Sequence, residues 1–123
     1  MKSRYQVVTP FVTKDGSIIR ELMHPATHGN VQQSLAEATI DVGAKTTLHR
    51  HQLTEEIYHF LAGTGHMVLG SEVFVVAPGD TVCILPGTPH ALWNSGGEPL
   101  RLLCACAPAY SHDDTELMSE DRF

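Results

Sequence analysis

No stretch of this chain sustains a helical period. Short apolar or alternating segments are instead cut by turn residues along its whole length. Lys14-Asp15-Gly16-Ser17 centres on Asp-Gly, a hairpin signal between a strand expected over 5–13 and its return over 18–23. Residues 24–30 hold Pro25 and Gly29 and read as a loop. A longer strand is expected over 31–42, with a bend near Ala36-Glu37-Ala38. Helix propensity could claim VQQSLAEATI, but no cap precedes it and β-branched residues flank it, so strand is the better reading. Further strands are expected over 46–51, 56–61, 66–69, 72–77, 81–85, 90–94 and 100–107. The tail, 110–123, is acidic and polar, with one short helical turn expected after Ser111. This rhythm predicts an all-β sandwich or barrel, in one domain over 1–123.

Within that pattern one group of residues carries chemistry. His49 and His51 are two apart, so on a strand both point to the same face. Gln52-Leu53-Thr54-Glu55 can turn the chain, and Glu56 opens the next strand. His90 follows the turn-rich Pro86-Gly87-Thr88-Pro89. Three imidazoles and one carboxylate suit Fe(II), Mn(II), Ni(II), Zn(II) or Cu(II), and ligand type alone does not choose among them. Four protein donors leave up to two octahedral positions open, which is the catalytic kind of site. The other histidines, among them His59 and His66, need no special role.

Strand parity extends the site. Tyr58 and Phe60 share a face with Glu56, and Tyr58 could offer its phenol to a substrate. Met67 and Leu92 are expected to line the pocket, with Trp93 facing the other way and Arg50 pointing to the surface. Gln33 and Glu37 read as a surface pair or as polar contacts at a barrel mouth. Cys104 and Cys106 share a face opposite Arg101 and could line the pocket with Tyr110. The plainer reading of all three cysteines, Cys83 included, is reduced and buried small hydrophobes. An odd count leaves no closed disulfide framework.

Composition removes several function classes. The formal net charge of −6 argues against nucleic acid as a partner. Mean hydropathy of −0.07, with no run near the roughly 18 apolar residues of a spanning helix, argues against a membrane protein. MKSRYQVVTP has no apolar core for a secretory signal, so a cytoplasmic location is expected.

Gly43 to Gly63 resembles the first signature of the cupin superfamily, G-x5-H-x-H-x3–4-E-x6-G, met here by Gly43, His49, His51, Glu56 and Gly63. Residues 79–94 are similar to the second, G-x5-P-x-G-x2-H-x3-N, at Gly79, Gly87, His90 and Asn94. Leu85 stands where that signature has its first proline, and Pro86 still precedes Gly87. The resemblance implies a double-stranded β-helix, a jelly-roll-like barrel, with His49, His51, Glu56 and His90 as ligands of a divalent transition metal. It also implies a homodimer, and a Tyr110-Ser111-His112-Asp113 tail that could cover the mouth.

The expected function is a metalloenzyme acting on a small, oxygen-rich molecule. Glu56 would be ligand and proton acceptor, with Tyr58 beside it. By analogy with the fold, a dioxygenase-type reaction is expected. The alternatives are an isomerase of sugars or sugar phosphates, a lyase or decarboxylase on the same metal, and a non-catalytic ligand-binding barrel. A sugar phosphate would want basic residues at the mouth, and only Lys45 and Arg50 are near.

Overall fold

The computed structural model describes residues 1–123. Eleven strands and one short helix follow in chain order: β1 (Phe11–Val12), β2 (Ile18–Met23), α1 (Pro25–His28), β3 (Ser34–Ile40), β4 (His49–His51), β5 (Glu55–Ala62), β6 (Gly65–Leu69), β7 (Glu72–Val76), β8 (Thr81–Ile84), β9 (His90–Trp93), β10 (Leu100–Ala107) and β11 (Thr115–Leu117). They form two antiparallel sheets. One runs β1-β2-β3-β10-β5-β8, the other β11-β4-β9-β6-β7. The inner faces pack together as the barrel, and this is the double-stranded β-helix that the motifs imply.

The core follows from alternation. Along β10, Leu100, Leu102, Cys104 and Cys106 are buried, while Arg101 on the other face is exposed. Phe60, Met67, Leu100 and Leu102 are fully buried with Ile40, Val76, Ile84 and Leu92. Each such side chain contributes about 1.5–3 kcal/mol on leaving water. Trp93 faces outward, stacked on His66 and near Phe123.

Two motif residues have structural duties that close the barrel end. Gly63 has φ of +81°, and a Cβ there would lie 2.6 Å from the Pro99 carbonyl oxygen and 2.9 Å from Leu100 Cα. Asn94 is fully buried. Its Nδ2 donates to the carbonyls of Ile40 (2.9 Å) and Glu98 (2.8 Å), and its Oδ1 accepts from Gly96 N–H (3.1 Å).

The structure corrects several expected boundaries. In place of a strand over 5–13 there is a 3-10 turn, Tyr5–Val7, and the two-residue β1. Pro10 lacks the N–H that a continuous ladder needs. Residues 24–30 contain α1, capped by His24 Nδ1, which accepts from Ala26 N–H, and ended by Gly29 at φ +85°. β3 has no bend at Ala36-Glu37-Ala38, because it pairs with β10 through seven successive residues. The tail makes its expected turn at Ser111 and then adds β11 to the edge of β4. Cys83 is exposed, since β8 presents it on the outer face.

Candidate metal centre

β4 presents His49 and His51 inward and sends Arg50 outward, to Glu116 at 2.9 Å. Antiparallel pairing sets His90 of β9 directly opposite His49. The result is three buried imidazoles with one nitrogen each within 4.8 Å of one another.

The tautomers follow from the neighbours. His49 Nδ1 lies 2.7 Å from the Thr47 carbonyl oxygen, and His90 Nδ1 lies 2.9 Å from that of Thr88. A carbonyl only accepts, so both Nδ1 atoms carry the proton. His51 Nδ1 lies 3.0 Å from Thr115 Oγ1, whose own hydrogen goes to the Ser111 carbonyl at 2.8 Å. His51 Nδ1 is therefore a donor as well. In each ring this tautomer leaves the lone pair on Nε2, which turns toward the other two. His90 Nε2 is buried with no hydrogen-bond partner. An orphaned nitrogen at the meeting point of two others is what a divalent cation satisfies, and the donor set fits one.

Glu56, at the head of β5, joins them. Its Oε1 lies 3.2 Å from His51 Nε2 and 3.6 Å from His90 Nε2, and its Oε2 accepts from the Cys106 thiol at 3.2 Å. Burial pushes the Glu56 carboxyl up, but in the metal-free protein His51 and His90, when they carry a proton on Nε2, outweigh it and hold it down to about 2. Burial, with His90 beside it, lowers His49 to about 4 against the pull of Asp15.

A cavity with about 620 Å³ of empty volume, its open mouth included, leads to this cluster. Tyr58, Leu92, Cys104 and Tyr110 line it. Phe60 and Met67 do not. Both are fully buried in the core, where Phe60 packs opposite Leu102 and Met67 opposite Leu92 and Phe74. The barrel is filled by side chains at that level, and the pocket ends above them.

Burial, and secondarily the Glu56 carboxylate, push the Tyr58 phenol and the Cys104 and Cys106 thiols well up. Tyr58 is thus a proton donor at neutral pH, and the cysteines are thiols without thiolate character. Glu37 faces away from the cavity, between Tyr5 Oη (2.6 Å) and Arg101 Nη2 (3.1 Å), and Gln33 is exposed. Neither reaches the mouth. Tyr110 does, with its ring 5.8 Å from that of His51.

Three groups of residues at the site were not read from the sequence. Thr47, Thr88 and Thr115 orient the imidazoles, a role with no local pattern beyond lying near a ligand. Glu21 of β2 lines the cavity with a buried Oε1 that has no partner, and burial raises its carboxyl. Asp15 places Oδ2 3.5 Å from His49 Nε2. Its Asp-Gly pair signals the turn and conceals the second use of the carboxylate.

The comparisons agree with this architecture. The cupin domain family matches residues 36–106, and the chain belongs to that family. An uncharacterized protein of Methanocaldococcus jannaschii is 52% identical over 118 residues, covering 96% of this chain and 94% of that one. Among solved structures, the polyketide cyclase RemF of Streptomyces resistomycificus superposes with a TM-score of 0.81 at 20% identity, over 98% of this chain and 87% of that one. A predicted oxalate decarboxylase of Thermotoga maritima gives 0.76 at 23%, over 88% and 99%. At these identities the solved structures speak for the fold.

Proposed function

We propose that this cupin is a metal-dependent enzyme of the proton-transfer kind, a lyase or isomerase, acting on a small neutral oxygenated molecule. The observation that carries the reading is the set of three buried Nε2 lone pairs at the base of an acidic cavity. Asp15, Glu21 and Glu56 line that cavity, and no lysine or arginine does. With no lysine or arginine in the lining, a phosphate dianion would find no cationic partner there beyond a metal whose charge the carboxylates offset, which disfavours a sugar-phosphate substrate and favours a neutral hydroxy-carbonyl compound or sugar. The named cyclase neighbour is compatible with this reading.

His49, His51, His90 and Glu56 would hold the cation. When bound, it supplies Lewis-acid polarisation of a carbonyl or hydroxyl oxygen. The chain's own groups supply the rest. Tyr58 keeps its proton and can donate it to a developing oxyanion. Leu92, Leu102 and Cys104 exclude water from the inner wall. Tyr110, held by Thr13 Oγ1 at 3.2 Å and His112 Nδ1 at 3.0 Å, narrows the mouth.

The test begins with elemental analysis of tag-free protein, followed by anaerobic incubation of each metal-loaded form with small hydroxy-carbonyl compounds in deuterated water. Deuterium entering a substrate or product carbon, without oxygen consumption, is the expected result. Turnover only with iron and with oxygen uptake would replace this reading by the dioxygenase one. Failure to retain any divalent metal would sink the enzyme reading and leave a ligand-binding barrel.

A further inference from the structure

We propose that Asp15 is a fifth protein ligand of the metal centre, an assignment that rests on the metal-centre reading above. The two carboxylates at the site are built alike. Glu56 gives Oε2 to a protein donor, the Cys106 thiol, and turns Oε1 toward His51 and His90 at 3.2 and 3.6 Å. Asp15 gives Oδ1 to protein donors, Ser17 N–H at 2.9 Å and Ser17 Oγ at 2.6 Å, and turns Oδ2 toward His49 Nε2 at 3.5 Å. In both, one oxygen fixes the side chain and the other makes its approach to an imidazole nitrogen. An anionic oxygen facing a lone pair is repelled unless positive charge lies between them. The arrangement that identifies Glu56 as a ligand therefore recurs, from the other side, at Asp15.

The turn that carries Asp15 is fastened to the site from three directions. Asp15 O accepts from Thr47 N–H at 2.8 Å. Lys14 Nζ donates to the carbonyls of Thr115 (2.7 Å) and His112 (3.1 Å). Thr13 Oγ1 meets Tyr110 Oη at 3.2 Å. Thr47 joins both partners of the pair, because its N–H holds the Asp15 backbone while its carbonyl orients the His49 ring. Thr115, which receives the Lys14 ammonium, also orients His51. The hairpin tip and the imidazoles are thus positioned by the same residues, as a ligand requires and a solvated turn does not.

In a six-coordinate site five protein donors would leave one position open, and two carboxylates would balance a divalent charge. One position admits one oxygen atom of a neutral substrate. A ligand binding through two atoms would need Asp15 to release, so this count narrows the substrate class of the site to single-oxygen binders.

The experiment is a cobalt(II) titration of metal-free protein, read by the visible d–d bands, for the wild type, Asp15→Asn and the control Asp113→Asn. Asparagine keeps Oδ1 as acceptor for Ser17 and so preserves the turn. The expected result is a dissociation constant raised about tenfold or more, with altered band intensity in Asp15→Asn alone. Equal affinity and an identical spectrum would overturn the assignment and leave the metal centre standing. No cobalt uptake by the wild type would overturn both. A second measurement needs no variant. Cobalt should slow hydrogen exchange at the Gly16 and Ser17 amides of the wild type, and unchanged rates there would also overturn the assignment.

Discussion

Without its metal this barrel should lose stability in mild acid, and His49 sets the range. The ring is 3% exposed, and burial with His90 beside it lowers its pKa from 6.5 to about 4. The unfolded chain therefore takes up a proton at His49 below 6.5 while the folded chain does not. Stability is complete above pH 6.5 and falls as pH drops, until the folded ring also protonates near 4. That interval corresponds to roughly 3 kcal/mol, of which about 2 kcal/mol is lost by pH 5. For a chain of 123 residues, 2 kcal/mol lowers the melting temperature by about 8 °C. Glu56 acts in the same direction lower down. Its carboxyl, held at about 2, adds stability that is present above 4.5 and lost as pH falls toward 2. The assay is calorimetry of chelator-treated protein from pH 7.5 to 4.5, alongside His49→Gln, which cannot take up the proton. The variant should show a flatter profile over that range. Parallel profiles for the two proteins would mean that His49 is not held neutral by burial, and the reasoning would fail.

Three further outcomes are expected. His51→Ala should lower metal content far more than His59→Ala or His66→Ala, whose rings bond Thr81 and Ser95 away from the centre; equal losses by elemental analysis would refute the ligand set. Chelation should remove about 3 kcal/mol of stability where metal stood near a hundredfold over its dissociation constant, read as a lower melting temperature without unfolding at room temperature; complete unfolding would mean a structural metal. We also propose a homodimer through the outer face of the larger sheet. There Leu35, Ala105, Ile57 and Cys83 form one apolar row across β3, β10, β5 and β8, so Ile57→Lys should shift the sedimentation coefficient toward the monomer, and a monomeric wild type would refute it.

What could be read from the sequence follows the range of the interactions involved. His49 and His51 on one face is a consequence of the two-residue repeat of a strand, and their partnership with His90 needs only that β4 and β9 pair. Both are local or nearly so. Strand interiors were legible for the same reason, since alternation marks β10 and β5 directly. The ends were not, because they depend on what the neighbouring strand offers. β11 exists because His49–His51 leaves an edge to be paired, and no pattern in Thr115-Glu116-Leu117 announces it. Phe60 shows the limit of parity: it does point inward, but the depth at which a barrel stops being pocket and becomes core depends on Leu102 and Leu92 filling the space. Asp15 shows a different limit. A residue with two side-chain oxygens can satisfy a local rule with one and serve a distant site with the other. Asp-Gly explains the turn through Oδ1 completely, so nothing in the local pattern asks what Oδ2 does. Only the closure of the hairpin onto Thr47, 32 positions along the chain, brings that oxygen to His49.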